Sequence, residues 1–229
     1  SLVSGYALLA ANILYTLASV PLALHYLSKE EFGLWVLVTT VCNFNQIVVD
    51  LGRSGAIARI LIDHKDDRES TAYGTVIQTG FLVLVVQGGL IALIGGLLSY
   101  WLPQWMEVPM VHWHVFRLLV IGQCVLLAVS FAMRIFSFIL QAHQRYDVGN
   151  YLQLACFGLG FIALWLSFEA GLGLYSLLVS GAVSVLVLGV SCGLATQRLH
   201  LFPMPGRWGE PSWKAFKELF SYGTDVFLA

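Results

Sequence analysis

Polar side chains recur at helical spacing inside the apolar stretches of this 229-residue chain. Thr39, Asn43, Gln46 and Asp50 follow one another at intervals of four, three and four. That spacing puts them on one face of a helix. Gln123, Ser130, Arg134, Ser137 and Gln141 form a second line, which Arg145 continues, and Asn12, Tyr15, Thr16 and Ser19 share a face of the first apolar stretch. An ionised group in mid-membrane costs roughly 2.5–3.5 kcal/mol, so it tends to face protein or a water-filled cavity. The chemistry such stripes can do is binding: amides and hydroxyls hydrogen-bond, and a guanidinium grips an anion. The Ser and Thr members are also accounted for by bonds between helices. Arg134 lies about two turns from the end of its helix, where it could either snorkel to the surface or line a cavity.

Asp50 is the one acid clearly inside an apolar stretch, and the first stretch holds none. Arg134, with Arg53 and Arg59 near in sequence to Asp50, leans one end of the interior positive. An anionic phosphate group suits that balance better than a cation does. The candidate substrate-binding residues are therefore Arg134, Arg53, Arg59, Asp50, Asn43, Gln46 and Gln141. No catalytic residue, cofactor or metal site is expected. His112 and His114 flank Trp113 with no third ligand in view. Cys42, Cys124, Cys156 and Cys192 fall in four different apolar stretches with no CxxC pair, which reads as small thiols packed between helices.

The elements that must hold these residues follow from composition. Hydrophobic residues make up 58% of the chain, charged residues 11%, and mean hydropathy is +0.79. A soluble domain carries roughly a quarter charged residues. The net charge of −1 gives no field for nucleic acid. The fold class is all-α integral membrane, a six-helix transmembrane bundle. Its helices are expected at about Leu2–Tyr26, Phe32–Asp50, Tyr73–Trp101, Val115–Gln141, Tyr151–Phe168 and Leu174–Ala195, with a polar stretch from Leu51 to Thr71. With a cytoplasmic N-terminus, the inner side holds Arg53, Arg59, Lys65, Arg68, Arg134, Arg145, Arg198, Arg207, Lys214 and Lys217, and the outer side only Lys29 and Arg117. That asymmetry obeys the positive-inside rule. Trp101, Trp105 and Trp113 then sit at the outer interface. Gly88, Gly89, Gly95 and Gly96, and separately Ser176, Ser180 and Ser184, read as helix-packing faces.

The first 195 residues form the six-helix lobe. Residues 196–217 read as a cytoplasmic linker in which Pro203, Pro205 and Pro211 bar a long helix. There Ser212 can cap an amphipathic helix beginning at Trp213, with Trp213, Phe216, Leu219 and Phe220 on one face. Residues 218–229 read as the start of a seventh span. Ser1 in place of a Met and the apolar run after Asp225 read as the ends of a piece of a longer chain. Six crossings return the chain to its starting side, so a second six-helix lobe would enter in the same orientation. Parallel repeats of that kind build transporters with the site between lobes.

Tyr26-Leu-Ser-Lys-Glu-Glu-Phe-Gly-Leu-Trp35, then Asp50-Leu-Gly-Arg-Ser-Gly-Ala-Ile-Ala-Arg59, and Gln141-Ala-His-Gln-Arg145 through Asn150 carry a resemblance. The chain resembles the N-terminal half of bacterial polysaccharide flippases, the O-antigen translocase-like members of the MATE-like MOP superfamily. The resemblance implies one lobe of a two-lobe, alternating-access transporter in the bacterial inner membrane, with a central cationic cavity. It also implies a polyprenyl-pyrophosphate-linked oligosaccharide as substrate, driven by an ion gradient. Arg134 and Arg53 would then contact pyrophosphate, and Asn43, Gln46 and Gln141 would hydrogen-bond sugar. The implied partners are this lipid-linked oligosaccharide, membrane lipids, the second lobe and polysaccharide-assembly enzymes.

Three other readings compete, the first of them a scaffold or partner-binding membrane subunit with no transport of its own, against which the polar stripes on three helices speak. A MATE-like ion-coupled exporter of cationic compounds would want an acid in the first helix. A membrane-embedded enzyme of lipid or glycan synthesis would use Asp50, Arg59, Asp63 and Asp67 in the manner of CDP-alcohol phosphotransferases. That motif, however, is interrupted by Leu51 and lacks the Gly before its final aspartates.

Overall fold

The structure is a computed structural model that describes residues 2–50, 53–66 and 71–219, with the side chains of Leu2 and Arg53 outside the described set. The expected seventh span lies outside it beyond residue 219. Among the described residues there is no strand, and seven α-helices run to residue 198, with helix again at residues 213–219: α1 (Leu2–Tyr26), α2 (Lys29–Asp50), α3 (Arg53–His64), α4 (Ala72–Trp105), α5 (Trp113–Ala142), α6 (Tyr146–Glu169) and α7 (Tyr175–Arg198). All except α3 are long and apolar enough to cross a membrane. Six crossing helices are what the apolar stretches demanded, since about 20 residues at about 1.5 Å each span the hydrocarbon layer.

Boundaries depart from the sequence reading by up to five residues, as where α6 begins at Tyr146 rather than Tyr151 and α4 runs on to Trp105, and two departures have clear local reasons. Helix α2 begins at Lys29 rather than Phe32, because Ser28 and Glu31 form a capping box. The Ser28 N–H donates to Glu31 Oε2 at 2.8 Å, and the Glu31 N–H donates to Ser28 Oγ at 3.2 Å. The stretch from Leu51 to Thr71, read as merely polar, contains α3. Its charged residues lower the average hydropathy, yet Ala56, Ile57, Ile60 and Leu61 are buried at helical spacing and pack against α4 and α5.

Helix α5 is the axis of the bundle, with α4, α7, α2 and α3 packed round it, while α1 packs along α6 and touches α2 only slightly. Glycines let the helices close up. A Cβ on Gly88 would lie 2.7 Å from the Ala128 carbonyl oxygen, and one on Gly95 would lie 2.1 Å from Cys124 Sγ. Gly89 and Gly96, by contrast, have open space. Across α6 and α7, Ser180 Oγ donates to the Gly160 carbonyl at 2.8 Å. Helix α1 is fixed to α6 at three levels: Asn150 Nδ2 donates to Ser4 Oγ at 3.1 Å, Tyr15 stacks on Phe157, and Tyr26 stacks on Phe168 and hydrogen-bonds Glu169.

The segment after α7 lies across the ends of α4 and α5. Tyr73 Oη donates to the Leu201 carbonyl at 3.2 Å, and Phe202 packs between Phe136 and Trp208. A Cβ on Gly74 would meet the Trp208 carbonyl oxygen at 2.3 Å, so only glycine admits this crossing. Ser212 donates its N–H to Thr79 Oγ1 at 3.2 Å, and its own Oγ accepts the Lys214 N–H at 3.3 Å where a helix begins at Trp213. That helix buries Leu219 beside α3 and α4, and with Pro211 and Phe216 it walls an almost wholly apolar cavity of about 360 Å³. None of the expected binding residues lines that cavity.

Candidate functional site

The contact between α2 and α5 decides where the polar stripes look. Cys42 Sγ lies 3.7 Å from Cys124 Sγ, and Asn45 Nδ2 donates to the Ile91 carbonyl of α4 at 3.0 Å. Helix α2 therefore meets α5 through Cys42 and leans on α4 through Asn45. At about 100° per residue, Thr39, Gln46, Asp50 and Asn43 turn to the side of α2 away from α4. On α5, α4 covers the side of Cys124 and Ala128, and α7 covers that of Gly122, Leu126 and Met133. Gln123, Ser130, Arg134 and Gln141 fall between α2 and α7, again away from α4. The two stripes thus border one groove, floored by α5 and flanked by α2 and the α1–α6 pair. Gln46, Asp50, Gln123, Ser130, Arg134 and Gln141 are all partly exposed, and Asn43 is exposed.

Depth follows from the same contact. Helices α2 and α5 run in the same direction, toward the end of the bundle that gathers the basic residues. From the Cys42–Cys124 contact, Asp50 is eight residues on and Arg134 ten, about 12 and 15 Å at 1.5 Å per residue. The two charges therefore stand at about one level along the bundle.

The guanidinium of Arg134 lies over the Phe131 ring, 4.0 Å from its centroid. Phe131 is one turn back toward the middle of the span, so the side chain points inward along its helix rather than out to the basic end. Of the two roles open to Arg134 in the sequence, lining the groove fits this direction. The ring lies against the cation at cation–π distance.

Asp50 closes α2 and serves α3. Its Oδ1 accepts the Ser54 hydroxyl at 2.6 Å and the Ser54 N–H at 3.2 Å. That satisfies one of the amides left open at the start of α3 and sets a negative charge at the positive end of its dipole. The carbonyls of Val49 and Asp50 accept from Gln87 Nε2 of α4 at 3.3 and 3.4 Å. The end of α2 at Asp50 is thus held by its carboxylate on Ser54 on one side and by the Gln87 amide on the other. Gln87 is 2% exposed and its Oε1 has no partner.

Other expected binding residues are more dispersed. Arg59 is exposed on α3, Gln141 is half-buried in the last turn of α5, and the Arg53 side chain is outside the described residues. Ser137 donates to Cys192 Sγ at 3.6 Å and so faces α7. Asp63 is exposed near the end of α3, and Asp67 is outside the described residues. The four thiols are free and buried. Sequence reasoning missed Ser54 and Gln87. Gln87 had a signal, being the one amide between Phe81 and Trp101 in an apolar and glycine-rich run.

The arrangement can hold an anion beside Arg134 and offer amides above and below it to hydroxyl groups. Over residues 25–229 the chain matches the family described as polysaccharide biosynthesis protein. No curated protein and no solved structure matches it.

Proposed function

Because the chain belongs to the polysaccharide biosynthesis protein family, we propose that it flips a polyprenyl-pyrophosphate-linked oligosaccharide across the bacterial cytoplasmic membrane, without making or breaking covalent bonds. The observation that carries this reading is the placement of Arg134 on the groove side of α5, with its guanidinium 4.0 Å from the Phe131 ring centroid. A pyrophosphate offers charged non-bridging oxygens to that fork, and Asn43, Gln46 and Gln141 supply amides at other levels for sugar hydroxyls.

In this reading the basic end faces the cytoplasm, the N-terminus with it. A second six-helix lobe closes over α1 and α2 to complete the site, and access alternates between the two sides. The exposed outer faces of these helices support it: Leu17 of α1 and Ile47 of α2 are each 66% exposed. Partner enzymes of polysaccharide assembly deliver and consume the carrier.

The test uses the full-length gene. After its deletion, lipid-linked saccharide is probed with a membrane-impermeant reagent that modifies only outward-facing sugar. Accumulation of protected, inward-facing units is the expected result. Intact export with no accumulation would overturn the reading and favour a small-molecule exporter.

A further inference from the structure

Basic residues gather at one end of the bundle, and near the other Arg117 stands in the second turn of α5. Its guanidinium carbon lies 5.0 Å from the centroid of the Tyr100 ring of α4 and 5.7 Å from that of Trp113, one turn back on α5. The Trp113 ring is itself fixed, since its Nε1 donates to the Val108 carbonyl at 2.7 Å. Two rings thus hold the cation at cation–π distance. The Nε of Arg117 is buried and has no acceptor.

Among the described residues, the acids at this end are Glu30 and Glu31 at the start of α2, Glu107 between α4 and α5, and Glu169 at the end of α6. Glu31 accepts from Ser28 and Glu169 from Tyr26, while Glu107 is exposed. Among the described residues none of the four is hydrogen-bonded or ion-paired to Arg117. A partly buried guanidinium is costly without an anion or water at its free N–H groups. The surroundings are those of a bilayer interface. Trp101 and Trp105 at the end of α4, and Met110 and Val111 in the turn before α5, are exposed, and aromatic rings favour the headgroup level. Below Tyr100, the exposed side chains Leu97, Leu93 and Leu90 follow on the same face of α4 at intervals of three, four and three. From Tyr100 to Leu90 is about 15 Å at 1.5 Å per residue, about half the hydrocarbon layer and so the depth of one leaflet.

We infer that Arg117, seated between Tyr100 and Trp113, binds the phosphate of a membrane phospholipid whose chains lie along the leucine face of α4. This site is separate from the groove of Arg134 and does not depend on what that groove carries. The buried Nε leaves the two terminal nitrogens, which make no hydrogen bond among the described residues, to fork onto two non-bridging phosphate oxygens. A lipid held in this way ties the hairpin of α4 and α5 to one leaflet at a fixed depth.

The test adds phosphatidylglycerol with a photoreactive acyl chain to the full-length protein in dodecyl maltoside, a detergent without phosphate, and maps the cross-links by mass spectrometry. In the wild type, residues 90–101 should be labelled about tenfold more by this lipid than by the matching photoreactive diacylglycerol, a comparison that needs no variant. Arg117→Gln should remove about tenfold of the phosphatidylglycerol labelling there. Labelling at the basic end, residues 198–217, should stay unchanged. Arg117→Lys, which keeps the charge without the planar fork, should fall between. Equal labelling of residues 90–101 by the two lipids, or by phosphatidylglycerol in the wild type and Arg117→Gln, would overturn the site and leave Arg117 reaching for water. Displacement of the lipid by millimolar inorganic phosphate would overturn the lipid assignment in favour of a free anion.

Discussion

Cys42 and Cys124 bring their Sγ atoms to 3.7 Å in the buried seam between α2 and α5. This contact fixes the register of the two helices, and through it the shared level of Asp50 and Arg134. Gly95 makes room for it from α4, since a Cβ there would strike Cys124 Sγ.

Replacing Gly88 by Ala is expected to destabilise the bundle by about 1–3 kcal/mol, because the added methyl meets the backbone of Ala128, which cannot swing aside. Gly89→Ala is the matched control, with open space at its Cβ. Thermal unfolding of the two variants in detergent should separate them, and equal melting points would contradict the packing described.

Gln87→Leu should loosen the end of α2 by about 1–2 kcal/mol, since the bonds from Gln87 Nε2 to the Val49 and Asp50 carbonyls are lost. The effect should appear as faster amide hydrogen exchange at Ser54–Ile57. Unchanged exchange there would mean that the end of α2 is held without α4.

For Arg134, charge and shape can be told apart. Arg134→Ala is expected to reduce transport at least about tenfold, whereas Arg134→Lys, which keeps the charge but loses the planar fork, retains an intermediate rate. Transport by Arg134→Ala at the wild-type rate would remove this residue from the site.

All four thiols are buried, so the wild-type protein should resist an impermeant maleimide. A cysteine at Trp105, which is 81% exposed, or at exposed Lys214 supplies one reactive position at either end of the bundle. In intact cells Trp105→Cys should label from outside and Lys214→Cys only after the membrane is opened. The reverse pattern would invert the orientation.

Much of this was legible in the sequence because a bilayer simplifies the problem. Each spanning segment must close its own backbone hydrogen bonds, so apolar length alone yields helices, and their period alone yields faces. The six spans, the polar stripes on α2 and α5 and the glycine face of α4 followed from that. Helix α3 escaped because averaging over Arg53, Arg59, Asp63 and Lys65 hides the buried spacing of Ala56, Ile57, Ile60 and Leu61. The start of α2 escaped because the capping of Ser28 by Glu31 is a local device that hydropathy does not weigh.

What the sequence determined by itself is therefore the membrane class, the number of spans and which residues share a helix face. Tertiary structure alone decided which faces meet. The pairing of Cys42 with Cys124, the hold of Gln87 on the carbonyls of Val49 and Asp50, and the folding of Trp208 onto Gly74 join residues 82, 38 or 37, and 134 positions apart. Helical period fixes direction around one axis only. Rotation and height of one helix against another are set by close packing at small residues, and that packing put Arg134 and Asp50 at the same level of the same groove.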